Sequence, residues 1–173
     1  MTGDVKTTTA AENDISALTD KYFARTRETV ARHGDKTVTY AVFMRRPVRF
    51  ATRIAVEWIR EIARRRNIKV DIEERFKEGE EAGGGEPLLY ITGSFVDLVD
   101  IETLYLQKIG ASCVAAMNAY DMCTAMPRSG LMAFDSRHCA GQEMANLMAY
   151  AASVGSDAAR RDTDAIGFIG NAT

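Results

Sequence analysis

Apolar residues along the chain fall into blocks with two spacings, and the change from one spacing to the other predicts the elements. Ile15, Leu18, Tyr22 and Phe23 recur at helical spacing, with Asp14 or Ser16 as the cap and Gly34-Asp35 as the stop. Thr37 to Met44 alternates and is rich in β-formers, which predicts a strand that Pro47 closes after Arg45-Arg46. A second helix is expected from about Ala51 to Arg66, burying Ile54, Trp58, Ile59 and Ile62. Lys69 to Phe76 and Leu88 to Thr92 read as two more strands, joined by the glycine cluster between Glu78 and Pro87. Asp97 or Asp100 caps a further helix that runs through Ile109 and is stopped by Gly110. Ala111 to Ala125 is then a separate small-residue helix, apolar nearly all round and therefore buried. After a loop from Pro127 to Gly130 comes an apolar run, Leu131 to Phe134, followed by the polar turn Asp135-Ser-Arg-His138. From Ala140 the spacing is helical again, with Met144, Leu147, Met148 and Ala151 on one face, and Asp164 to Thr173 carries a last short strand.

The order of these elements predicts an α/β protein in parts. Residues 1–13 are polar and read as a disordered tail. Residues 14–126 form an α+β sandwich, and residues 127–173 give strand, helix, strand, the opening of a parallel βαβ array. A parallel sheet needs more than two strands to close a core, so the chain reads as the front portion of a longer protein.

Composition narrows the function classes. With 46% hydrophobic residues and a net charge of −2, the chain has a real core and no broad basic surface, which argues against nucleic-acid binding. Arg60, Arg64, Arg65 and Arg66 cluster near a helix C-terminus, where a solvated face explains them. No run approaches the ~18 apolar residues of a membrane helix, and the N-terminus lacks the apolar core of a secretory signal. Cys113, Cys123 and Cys139 are odd in number and lack metal-ligand spacing, so reduced thiols in a cytoplasmic protein are expected and no metal site. The glycine cluster lacks the Lys-Ser or Lys-Thr pair of a phosphate loop and carries acids, so it reads as hairpin geometry.

The candidate chemistry lies in the turn after Leu131–Phe134. An acid, a hydroxyl, a permanent cation and an imidazole stand at the carboxyl end of a strand and before a helix N-terminus, where an anion such as a phosphate or carboxylate is stabilised. The same residues also allow a plain structural reading, with Asp135 and Arg137 as a local ion pair and His138 capping the turn.

Four blocks in order resemble nicotinate phosphoribosyltransferases: Thr19-Asp-Lys-Tyr-Phe23; Glu86-Pro-Leu-Leu-Tyr-Ile-Thr-Gly93 with Leu98 to Gln107; Phe134-Asp-Ser-Arg-His-Cys-Ala-Gly141 with Ala149 to Gly155; and Gly167-Phe-Ile-Gly-Asn-Ala-Thr173. The resemblance implies a sandwich domain packed on an irregular α/β barrel, truncated here after its first βαβ, in a head-to-tail homodimer. It implies transfer of ribosyl 5-phosphate from phosphoribosyl pyrophosphate to nicotinate, giving nicotinate mononucleotide for NAD, with ATP and Mg2+ as cofactors. By motif match, Tyr22 stacks on the pyridine from the neighbouring subunit, Phe134 takes the other face, and Arg137 holds the carboxylate. His138 stands where relatives often carry a second arginine, Gly170 and Asn171 fall in a substrate loop, and Arg45 falls near phosphates. No catalytic residue is assigned. Asp135 in place of a glycine, and Gly-Asn-Ala-Thr at the end, leave the base open among nicotinate, nicotinamide and other pyridines. The portion alone is expected to be inactive. Two alternatives remain: a non-catalytic module binding an anion or partner through Ser136–His138, and a quinolinate-type phosphoribosyltransferase. The second ranks lower because a dicarboxylate asks for more cations near Arg137 than His138 supplies.

Overall fold

The protein is described by a computed structural model covering Ile15, residues 17–134 and residues 136–171. The expected disordered tail, the candidate caps Asp14 and Ser16, and Asp135 lie outside the described residues. The structure is mixed α/β. Helix α1 is Lys21–His33, strand β1 Thr37–Phe43, β2 Val48–Arg49, α2 Arg53–Arg66, β3 Val70–Glu74, β4 Glu81–Ala82 and β5 Pro87–Ser94. Then follow α3, Phe95–Leu98; α4, Glu102–Ala125; β6, Leu131–Ala133; a 3-10 turn, Ser136–His138; α5, Gln142–Thr163; and β7, Phe168–Asn171.

Three strands form one antiparallel sheet in the order β1-β5-β3. Its register pairs Val42 with Leu89, Tyr40 with Ile91, and Ile72 with Ile91, so these apolar residues share the inner face. That face packs on α2 and α4 through Ile59, Leu89, Ile91, Ile101, Tyr105 and Ile109, all buried in one core. Strand β5 is central, which explains why Leu88 to Thr92 is the most continuously apolar strand. The glycine cluster is more than a hairpin. It contains β4, which pairs with β2 in a second small sheet, Val48 opposite Ala82 and Arg49 opposite Glu81.

Three boundaries differ from expectation. Helix α1 starts at Lys21, and Leu18 and Tyr22 face solvent while Ile15 and Phe23 are buried. Asp100 does not cap a helix: its buried carboxylate accepts from Arg27 at 2.9 Å and from Arg66 at 2.8 Å, tying α1 to the end of α2. Asp97 lies inside the short α3, whose cap is the Ser94 hydroxyl accepting the Asp97 N–H. Finally, Gly110 does not stop a helix; α4 runs through it unbroken for 24 residues. A mid-helix glycine costs only about 1 kcal/mol, and continuing the helix buries Ser112, Cys113, Ala116, Ala119 and Cys123 beyond it.

Strands β6 and β7 pair in parallel, Leu131 with Phe168 and Ala133 with Asn171, with α5 as the connection, so the expected βαβ unit is present. Helices α4 and α5 pack through small residues. An atom added at Gly155 would lie 2.1 Å from the Ala116 carbonyl oxygen, so the two backbones touch there. Buried Arg49 joins this unit to the small sheet: its guanidinium stacks 3.5 Å from the Tyr120 ring centroid and donates to the Gly79 carbonyl and to Asp162 at 3.1 Å each.

Candidate functional site

Parallel pairing brings the ends of β6 and β7 to one place, since strands running the same way end on the same side. Phe134 follows directly on Ala133, and Ala133 is opposite Asn171. The chain then tightens into the Ser136–His138 turn, closed by the Cys139 N–H donating to the Ser136 carbonyl at 3.1 Å. Gly141, at φ 90°, reverses the backbone into α5, a conformation that only glycine takes cheaply. Among the described residues no side chain caps α5, whose first N–H groups lie beside the turn.

Arg137 and Phe134 lie on the same side. The guanidinium carbon is 5.9 Å from the Phe134 ring centroid, a cation over an aromatic face. Phe134 is 53% exposed, and beneath it is an apolar hollow of about 270 Å³, walled by Asn118 and Met122 of α4, Met132 of β6 and Met148 of α5. Gly170 lines a second hollow of about 290 Å³ beside Ser153, Ser156 and Arg160. The start of β7 is fixed there. The Ser156 hydroxyl accepts the Phe168 N–H at 2.9 Å, and Arg160 donates to the Ile166 carbonyl at 2.8 Å and the Phe168 carbonyl at 2.5 Å. Gly167, at φ 73°, is required because a side chain would meet the Ser156 oxygen at 2.4 Å.

The structure therefore gathers Phe134, Arg137, His138, Gly170 and the backbone of Asn171 at one strand end. The Asn171 side chain and Asp135 lie outside the described residues, so the Asp135–Arg137 pair is not among the described contacts. Tyr22 and Arg45 lie elsewhere. Tyr22 is exposed on α1 with its ring 4.1 Å from that of Phe23, and desolvation, then Glu102 and Asp20, push its phenol up. Arg45 is exposed between β1 and β2, its carbonyl lying over Gly84. Neither lines a hollow shared with Phe134 or Gly170. Among the described residues no group of three His, Cys, Asp or Glu side chains is placed to hold a metal ion. No described helix is long and apolar enough to cross a membrane.

One cation escaped the sequence reading. Lys108 interrupts the apolar stripe of α4, three and four residues after Tyr105 and Leu104, and its side chain is only 9% exposed. A lysine inside an i, i+3, i+4 apolar pattern is the signal that would have found it.

No match was found among curated proteins. The fold is similar to a nicotinate-nucleotide pyrophosphorylase from Pyrococcus furiosus (TM-score 0.68, 21% identity, 100% of this chain and 41% of that one). It is also similar to human nicotinic acid phosphoribosyltransferase (TM-score 0.67, 21% identity, 80% of this chain and 34% of that one). A third is a nicotinate-nucleotide pyrophosphorylase from Ehrlichia chaffeensis (TM-score 0.63, 15% identity, 90% of this chain and 54% of that one). The chain thus spans between about a third and just over half of these proteins. At such identities the likeness is one of fold. The sequence match is more specific: residues 20–113 fit the quinolinate phosphoribosyl transferase N-terminal domain, not a nicotinate phosphoribosyltransferase. That match takes in α1 to the middle of α4, more than half of the sequence, and the chain belongs to the quinolinate phosphoribosyl transferase N-terminal domain family.

Proposed function

We propose that this chain is the front part of a quinolinate-type phosphoribosyltransferase of NAD biosynthesis. Quinolinate is pyridine-2,3-dicarboxylate. Its ring nitrogen attacks C1 of phosphoribosyl pyrophosphate, the C1–O bond to pyrophosphate breaks, the 2-carboxylate leaves as CO2, and a proton from water takes up the electron pair left on C2, giving nicotinate mononucleotide. The observation that carries this reading is the family match over residues 20–113. It reverses the ranking drawn from the sequence, in which the nicotinate reading came first.

In this chain Arg137 grips a carboxylate of the pyridine through its planar fork, and the flat Phe134 face beside it orients the ring. The uncapped start of α5 adds N–H donors for a second negative group, which is the part the sequence reading had asked of further basic residues. Holding the ring nitrogen in line is where such a site gains most of its rate. Tyr22 is kept for the pocket of a partner subunit in a homodimer, since it lies apart from Phe134. ATP coupling belongs to the nicotinate reading and has no role in this one.

The test is calorimetric titration of the chain with quinolinate, nicotinate and nicotinamide. Affinity should fall in that order, and Arg137→Ala should erase the differences. Nicotinate binding as tightly as quinolinate would restore the nicotinate reading. The open hollow under Phe134 also means that the chain alone should form no mononucleotide from quinolinate and phosphoribosyl pyrophosphate; formation would refute that incompleteness.

A further inference from the structure

Lys108 lies at the base of a third hollow, of about 180 Å³, between the first turns of α4 and α5. Its walls are Leu104, Met144 and Leu147, with the Gln107 amide and the Glu143 carboxylate at the polar side. An ammonium taken out of water costs several kcal/mol unless it is paired. Two groups pair it here. Its nitrogen lies 5.1 Å from the Trp58 ring centroid, and it donates to Glu143. The two charges are unequally placed, because the Lys108 side chain is 9% exposed and that of Glu143 71%. Lys108 is committed to the hollow; Glu143 is mostly in water and gives up little when it swings away.

We infer that Lys108 is the anchoring cation of a separate subsite for a small carboxylate-bearing molecule, with Glu143 as its exchangeable counter-ion. A ligand carboxylate takes the place of the Glu143 carboxylate on the ammonium. Its apolar body then lies against Leu104, Met144 and Leu147, and Gln107 offers a further hydrogen bond. The subsite uses neither Phe134 nor Arg137, so it stands whether or not those residues bind a pyridine.

Trp58 is the chain's one tryptophan and lies beside the Lys108 ammonium, so its emission reports on the lysine that lines this hollow. The probe is benzoate, with benzamide as the uncharged control. Benzoate should change Trp58 emission saturably, and benzamide should not. Glu143→Gln removes the competing carboxylate and should tighten benzoate about two- to five-fold, the range expected for a mostly exposed pair. Lys108→Met should abolish the response, with circular dichroism checking the fold; if that variant does not fold, the Glu143→Gln result decides. No response to benzoate, an equal response to benzamide, or no tightening in Glu143→Gln overturns the subsite. Loss of the response in Arg137→Ala would place the anion at the strand-end turn instead and also overturn it. Quinolinate affinity lost in Arg137→Ala while the benzoate response persists would separate the two sites.

Discussion

The close approach of α4 and α5 at Gly155 allows a sharp prediction from one methyl group. A Cβ at Gly155 would lie 2.1 Å from the Ala116 carbonyl oxygen and 2.9 Å from both the Ala119 Cβ and the Tyr120 backbone nitrogen. All but one of these are backbone atoms of α4, so no side chain can rotate away. To reach the ~3.5 Å of an ordinary contact the helices must part by more than an ångström. Parting strips contact from Ala119, Ala151, Ala158 and Ala159, which are buried along this seam. Overpacking of this kind costs about 1–3 kcal/mol, and here it must exceed the roughly 1 kcal/mol that alanine gains over glycine in a helix. Because the clash is with backbone the cost falls at the upper end of that range, and a net loss of about 2 kcal/mol is expected for Gly155→Ala, which lowers Tm by roughly 4–8 °C in a chain of this size. Gly110 supplies the control. It is also mid-helix, but nothing lies within 4 Å of an added Cβ. Gly110→Ala should therefore stabilise by about 0.5–1 kcal/mol through propensity alone. Urea denaturation followed by circular dichroism measures both. If the two substitutions shift stability equally and with the same sign, the inferred backbone contact is not there.

Thiol reactivity should follow burial: the Cys113 thiol, 3.8 Å from the Ala51 carbonyl, is pushed up to about 12 by desolvation, and burial also raises Cys123. Iodoacetamide at mildly alkaline pH should label Cys139 first, and mass spectrometry showing Cys113 labelled equally fast would contradict this. Glu102 is raised by burial and then by Asp20, so the folded chain holds that proton to higher pH than the unfolded chain. Its contribution to stability is present below the ordinary carboxyl value of about 4.3 and is lost as pH rises through the raised folded value. Glu102→Gln should therefore be more stable than the parent at neutral pH, with the gap closing in acid. A loss at neutral pH would show that the N-terminus of α4, which favours the charged form, outweighs burial.

Most of the elements were legible because their spacing is a local property. The alternation in Thr37–Phe43, the stripe of Arg53–Arg66 and the strand–helix–strand order after Gly130 each depend on neighbours a few residues away. Gly110 misled for a matching reason. As a local signal it ends helices, and only the burial of Cys113 and Ala116 against other elements carries α4 through it. Asp100 looked like a cap because its partners, Arg27 and Arg66, are distant in sequence.

The same division holds for the site. The sequence by itself determined that a polar turn with Arg137 follows a short apolar strand and precedes an amphipathic helix, since all three lie within one short stretch. That Arg137 lies over Phe134, that Gly170 ends beside them, and that Tyr22 and Arg45 do not, was decided by the parallel pairing of β6 with β7. The ranking of a dicarboxylate below a monocarboxylate counted only side-chain cations close to Arg137 in sequence, and the family match over residues 20–113 favours the reverse order. Lys108 lies in a separate hollow between α4 and α5, and which faces of two helices meet is settled in three dimensions, which no local spacing encodes.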